Sequence, residues 1–442
     1  MRFLLVNAPH AEDGEAVKRF SRPWAPLDLL NCAALLRRDG HDVQLIDYRA
    51  AAVPDAAREA AVSAADRIVV TTTPLDRWQC PTLNTDVTVR FIRRFPREKT
   101  WVAGSHGTMR PDWVLERTGV AGLIVGEPEA AITRLADHDS AAGGPGLAVR
   151  RNGAVEAQRP APLDLTTLPV PAFDLLEMSR YHYELMGDRF LIFEMSRGCP
   201  FVCTFCSREM YGRPVRRKAV GQLVDEIDHA LGTTRFRHAY FIDLEFTFHR
   251  DPVVALCEEI LSRGWTFRWT CQTRFDQIDE DLLRLMKRAG CRLIHFGVET
   301  GAERHVKALR KGLKLDQIRD QHALVRRCGI ETAMFFLIGH PGETADEQLQ
   351  TIAFACELNP DYASFNIASP YPGTKFHELA GSFEEPFPAF DHHSHQLDAL
   401  DAMRRTALRR FYLRPAYVMS RLHPERLGSA LRGARLLRKL VS

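Results

Sequence analysis

The chain has 442 residues, 45% hydrophobic and 26% charged, with 59 Lys and Arg against 56 Asp and Glu for a formal charge of +3. That length suits two or three domains with separate cores, and near-neutrality excludes a whole-surface electrostatic argument for nucleic acid. The apolar start MRFLLVNAPH is too short for a secretory core and no membrane-length apolar run occurs, so a cytoplasmic protein is expected, its ten cysteines being thiols or ligands rather than bridges.

From residue 2 to about 137, apolar runs alternate with helical segments: RFLLVNAP (2–9), DVQLIDY (42–48), RIVVTTT (67–73), TWVAGSHGT (100–108) and GLIVGEPE (122–129). Such runs predict strands buried on both faces, covered by helices such as LDLLNCAALLRR (27–38). The expected fold class is α/β, opening with a doubly wound, Rossmann-like domain over 1–137. Ligands of such sheets sit beyond the strands' carboxyl ends, here Asn7 to His10, Thr71 to Leu75, Gly104 to Gly107 and Gly126 to Pro128. Glycines and small hydroxyls there let a large flat ligand approach backbone.

Residues 138–185 change character. DSAAGGPG, a hairpin pattern around Asn152 and Gly153, and the proline-rich PAPLDLTTLPVPAFD predict a wrapping linker. A second alternation fills 186–380, with strands expected at FLIFEMSRG (190–198), HAYFIDLEF (238–246), FRWTCQTRF (267–275), RLIHFGVET (292–300), TAMFFLIGH (332–340) and YASFNIASP (362–370). Amphipathic helices such as DEDLLRLMKRAG (279–290) separate them, so six β/α units predict a partial parallel barrel of the TIM type. Its chemistry belongs on the face where Asp243, Glu245, Gln272, Arg274, Glu299, His340 and Glu343 end the strands.

The segment 381–442 is a loop followed by a basic helical region. From 402 onward it carries ten arginines and one lysine against the single acid Glu425. A helix packing on the barrel explains the pattern, and peripheral contact with an anionic partner or membrane surface is the alternative. In FDHHSHQLD, His392, His393 and His395 have no matching carboxylate or cysteine spacing, which favours a polar loop near the barrel mouth over a metal site.

The stretch MSRGCPFVCTFCS (195–207) spaces Cys199, Cys203 and Cys206 as C-x-x-x-C-x-x-C, on the loop after the barrel's first strand. A structural zinc site takes four ligands and disulfides take pairs, so a trio leaves one position open. Three thiolates can hold three irons of a [4Fe–4S] cube and leave the fourth iron to another ligand, with Gly198 and Pro200 turning the loop. Zinc and redox-dithiol readings are the alternatives. With Phe205 completing C-x-x-x-C-x-aromatic-C, the chain resembles the radical S-adenosylmethionine (SAM) superfamily. IDLEF (242–246), WTCQTRFD (269–276), GVETG (297–301) and IGHPGET (338–344) resemble that family's SAM-contacting segments. The resemblance implies that the open iron binds SAM and that the reduced cluster cleaves it to a 5′-deoxyadenosyl radical. It makes Phe205, Asp243, Glu245, Gln272 and Glu299 candidates for SAM contact, and Arg274 a candidate for its carboxylate.

An N-terminal doubly wound domain carrying PWAPLDLLNCAALLRRDGHDVQLID (23–47) is similar to the cobalamin-binding subgroup of these enzymes. That likeness implies cobalamin contacts from Pro9, His10, Thr72, Thr73, Trp78, Gly104, Ser105, His106, Gly126 and Glu127. The Asp-x-His-x-x-Gly that ligates cobalt in mutase-type domains is absent, and His10 lacks the preceding acid. Trp78 is a candidate for the corrin's lower face, with ordinary packing or a domain interface as its other reading. Cys80 is read as a buried thiol, and Cys32, Cys257, Cys271, Cys291, Cys328 and Cys356 as core.

The resemblance implies a cobalamin-dependent radical SAM methyltransferase acting at an unactivated carbon of a small molecule. Its cofactors would be a [4Fe–4S] cluster, SAM and cobalamin, and its reductant a flavodoxin- or ferredoxin-type donor. The first rival keeps the cofactors but performs a cyclisation, ring contraction or rearrangement. Methylthio transfer to transfer RNA would need a second cysteine trio upstream, where only Cys32 and Cys80 occur. A corrinoid- or redox-sensing binding protein is the non-enzymatic rival, and it predicts no SAM cleavage.

Overall fold

A computed structural model describes residues 1–9, 23–137, 143–381, 385–387 and 397–421. His10, the three histidines of 392–395 and the tail beyond 421 lie outside that set. The first sheet contains β1 (Arg2–Asn7), β2 (Asp42–Asp47), β3 (Arg67–Thr71), β4 (Thr100–Ala103), β5 (Gly122–Ile124), β6 (Leu147–Arg151) and β7 (Ala154–Ala157). Their order is β2-β1-β3-β4-β5-β6-β7. The first five are parallel, and the last two add antiparallel to β5. The hairpin expected in the connector therefore extends this sheet, burying Leu147, Ala148 and Val149.

The winding reverses between β1 and β3, which creates the crevice where doubly wound sheets bind ligands. β1 and β3 are apolar and buried, as their unbroken Val, Ile and Leu runs require. β2 alternates in exposure instead, because it is the sheet edge and one side lacks a neighbour. The helix Leu27–Arg38 packs Leu29, Cys32, Leu35 and Leu36 onto this core.

The second sheet runs β8 (Phe190–Phe193), β9 (His238–Phe241), β10 (Arg268–Gln272), β11 (Cys291–Glu299), β12 (Glu331–Ile338) and β13 (Tyr362–Ile367), each parallel to the next. This is the open six-stranded barrel, with helices between successive strands. Asp279 caps the helix Glu280–Arg288 by accepting from the Leu282 amide at 2.9 Å.

The C-terminal helix Leu397–Tyr412 buries Leu400, Ala407, Leu408, Phe411 and Tyr412 on the barrel. The Tyr412 hydroxyl donates to the Ala363 carbonyl (2.8 Å) and accepts from its amide (3.0 Å), covering edge strand β13. Among the described residues no helix is long and apolar enough to cross a membrane.

Candidate active site

The cysteine loop is pinned at its base. Ser196 and Arg197 pair antiparallel with Arg216 and Arg217, so residues 198–215 form a closed excursion above β8. Gly198 has φ +103°, and a Cβ there would lie 2.0 Å from the Pro214 carbonyl oxygen, so only glycine fits this turn. The Thr204 amide donates to the Leu309 carbonyl (3.1 Å), and the Phe376 amide donates to the Thr204 carbonyl (3.0 Å). These bonds tie the loop to the segments that follow β11 and β13.

Cys199 is buried and Cys203 and Cys206 are half-buried, each close enough to perturb its neighbour. Burial pushes the Cys199 thiol up to about 11 and Cys206 far above its ordinary range. Burial also raises Cys203, against the pull of Lys311. Such thiols become thiolates only when a metal replaces the proton. Among the described residues no three His, Cys, Asp or Glu side chains gather as the shell of one ion would. Three cysteines on one short, pinned loop suit separate corners of an iron–sulfur cube. Phe205 is half-buried within the same loop.

Beside the cysteines stand Glu245, Arg274 and Glu299, the ends of three successive strand units. Burial raises the Glu245 carboxyl to about 8, with Lys311 and Arg274 opposing, and one of its oxygens has no hydrogen-bond partner. Arg274 donates to Asp276 from Nε (2.8 Å) and Nη2 (2.7 Å), while its buried Nη1 remains unsatisfied. Its guanidinium lies 3.8 Å from the centre of the Phe201 ring. Glu299 accepts from Lys311 Nζ at 2.7 Å, in the space left because Gly297 has no side chain. An unpartnered carboxylate oxygen and an unpartnered guanidinium nitrogen fit the amine and carboxylate of an amino acid such as SAM.

Two other candidates already carry internal bonds. Asp243 accepts from the Met195 amide (3.0 Å) and the Ser196 hydroxyl, bracing the base of the cysteine loop. Gln272 accepts from the Tyr240 hydroxyl (3.0 Å) and donates to the Leu244 carbonyl (3.3 Å).

At the carboxyl ends of the first sheet, Gly104 (φ +110°) lets β4 turn against two threonines. A Cβ there would lie 2.5 Å from Thr73 Oγ1 and 2.8 Å from Thr72 Oγ1. The Ser105 amide donates to Thr73 Oγ1 (2.7 Å), and its hydroxyl donates to the Trp78 carbonyl (2.8 Å). His106 Nε2 bonds the Thr82 carbonyl (2.8 Å), and burial lowers its pKa to about 4, keeping the ring neutral. His106 Nδ1, Trp78 Nε1 and Asn7 Oδ1 are buried without partners. Unsatisfied buried polar atoms near the strand ends fit a large amide-bearing ligand such as cobalamin. Pro9, two residues beyond the end of β1, is half-buried. Gly126 (φ +80°) donates its amide to Thr108 Oγ1 at 2.9 Å.

The domains meet through a buried ionic network that the sequence reading missed. Arg197, two residues before Cys199, donates to Glu194 (2.7 and 2.6 Å), Glu129 (3.1 and 2.6 Å) and Glu127 (3.2 Å). Arg216 donates to both oxygens of Glu127 (2.6 and 3.0 Å), so that carboxylate is occupied at the interface. The indole of Trp78 packs under the Arg197 guanidinium (5.0 Å) and against Tyr211 of the cysteine loop (5.2 Å). The Tyr211 hydroxyl donates to Leu75 (3.0 Å), and that of Tyr371 donates to Pro81 (3.1 Å). The carboxyl ends of both parallel sheets thus face one another. Lys311 and Asp276 also escaped the sequence reading. The acids of GEPE and the arginine preceding Gly198 were the available signal for the network.

Residues 193–355 match the radical SAM superfamily and residues 16–136 match the B12 binding domain. An uncharacterized methyltransferase of Pyrococcus horikoshii is 30% identical over 393 residues, covering 86% of this chain and 83% of that protein. The anaerobic magnesium-protoporphyrin IX monomethyl ester cyclase of Rubrivivax gelatinosus is 28% identical over 342 residues, covering 72% of this chain and 61% of that enzyme. The solved structure of the radical SAM methyltransferase TsrM from Kitasatospora setae, with cobalamin and a [4Fe–4S] cluster bound, shares the fold at a TM-score of 0.67. It is 17% identical, over 94% of this chain and 89% of that one. With the cysteine loop, the barrel and the leading domain all accounted for, the chain belongs to the radical SAM superfamily, as a member that carries a B12-binding domain ahead of its barrel.

Proposed function

We propose that this radical SAM enzyme transfers a methyl group to an unactivated carbon of a small-molecule substrate. One observation carries the reading: the cysteine loop and the carboxyl ends of β3 and β4 meet across one interface, through Arg197, Trp78 and Tyr211. Methyl transfer between two cofactors requires such an arrangement, because both must reach one substrate carbon.

When bound, the [4Fe–4S] cluster and SAM supply a radical able to abstract hydrogen from carbon, and cobalamin supplies the route for the methyl group. Cys199, Cys203 and Cys206 hold the cluster. Arg274 would orient the SAM carboxylate through its free Nη1, Glu245 would receive the amine, and Lys311 holds Glu299 in place. Thr72, Thr73, Ser105 and His106 line the cobalamin side. Trp78, Tyr211 and the Arg197 network are buried where the two domains meet and exclude water from that part of the interface. A one-electron donor protein supplies the reducing equivalent. All ten cysteines are free of disulfides, which fits a reducing cytoplasm.

The test is anaerobic incubation of the reconstituted enzyme with SAM labelled in its methyl group. The label is expected in the product, and Cys203→Ala is expected to abolish SAM cleavage. The similarity to an anaerobic cyclase favours a second reading, ring formation without methylation. Product free of label would decide for it.

A further inference from the structure

An open cavity of about 270 Å³ lies against the cysteine loop, lined by Val202, Cys203, Thr204, Cys206 and a set of cations. These are Arg208, Arg213, Arg310 and Lys375, contributed by the loop itself and by the segments after β11 and β13. No acid lines it. Arg208 is held by the Phe201 carbonyl, and Lys375 pairs with Glu378 at 2.5 Å. Arg213 and Arg310 are exposed and make no ion pair among the described residues. Val202 is 45% exposed at the rim, an apolar contact beside the charges. On a chain of net charge +3 this concentration is local.

None of Glu245, Arg274, Glu299 and Lys311 lines this cavity; its lining comes from the cysteine loop and from the cations around it. A surface partner there would come within reach of Cys203 and Cys206. We infer that this cationic rim is the docking surface for an acidic protein that carries single electrons. The inference rests on the cluster assignment and the electron donor proposed above. The step is an outer-sphere transfer in which the carrier is oxidised by one electron and the cluster is reduced by one, with no bond made or broken. Opposite charge would steer the encounter and orient the donor's redox group toward Cys203 and Cys206.

The test uses the reconstituted full chain and the double variant Arg213→Glu with Arg310→Glu, with a reduced flavodoxin as the acidic carrier and reduced methyl viologen as a small cationic reductant. Bleaching of the cluster's absorbance is followed, and binding of oxidised flavodoxin is measured by calorimetry. In the variant, flavodoxin-driven reduction should slow about tenfold or more at low salt and lose its salt dependence. Flavodoxin binding should weaken by about as much, while viologen reduces the variant no more slowly than the parent. An unchanged flavodoxin rate, or equal losses with both reductants, would overturn the assignment; the second result would make the rim part of the cluster site or an anion site. Product methylation is not read, so failure of the methyl-transfer reading leaves this outcome interpretable.

Discussion

Lys311 shows how one residue completes a site. Its ammonium neutralises Glu299 in a buried setting, and without it that carboxylate would be an uncompensated charge near the cysteines. Lys311→Met is expected to weaken SAM binding about tenfold, roughly 1.4 kcal/mol, measured by equilibrium binding to the reconstituted protein. Arg197 faces three carboxylates with no exposure of its side chain. Arg197→Met should cost about 3–5 kcal/mol in denaturant unfolding, because the acids remain after their partner is removed.

Asp28 sets a pH dependence. Burial, reinforced by Glu129, raises its carboxyl from 3.8 to about 8, against the opposing pull of the Leu75 and Leu29 backbone and of Arg197. The fold therefore holds Asp28 protonated while the unfolded chain ionises it. Stability is lost as pH climbs from the unfolded value toward 8, where the penalty levels off. Asp28→Asn is expected to raise the melting midpoint at pH 8.5 by about 2–4 °C, with the gain shrinking toward pH 4.5. A gain that does not vary with pH would contradict this account.

At the level of elements, the strands were legible because parallel strands buried on both faces require long apolar runs. Their ends were not. The sequence pattern carries β4 through Thr108, yet the strand stops at Ala103, where Gly104 adopts a positive φ and a short helix, Ser105–Met109, begins. Likewise the run 190–198 contains only Phe190–Phe193 as continuous strand, because Asp243 takes the Met195 amide that would otherwise continue the ladder. The cysteine spacing was readable because the loop supplies its ligands locally. Gly198 is that loop's most constrained position. Gly198→Ala is expected to reduce iron and sulfide incorporation severalfold while far-ultraviolet circular dichroism stays unchanged, since Pro214 must move to admit a Cβ.

On the scale of the whole molecule, two α/β units present their carboxyl ends to each other. The sequence showed both units but not their docking. Arg197 meets Glu127 and Glu129 across separations of 70 and 68 residues, and no periodicity encodes such a pairing. Lys311 was hidden for a related reason. It lies in a polar stretch, LRKGLKL, that reads as surface until the positive φ of Arg310 turns the chain toward Gly297. Trp78 was legible as a residue of the ligand-facing loop, and its contacts with Arg197 and Tyr211 place it in the wall between the domains.

The central claim is that both cofactors occupy the two sides of this one interface, and electron paramagnetic resonance tests it most directly. In enzyme reconstituted with iron, sulfide and cobalamin and then reduced, the cob(II)alamin signal should be broadened by dipolar coupling to the paramagnetic cluster, and Cys203→Ala should restore its sharp form. Two independent, unbroadened signals from fully loaded enzyme would contradict the account.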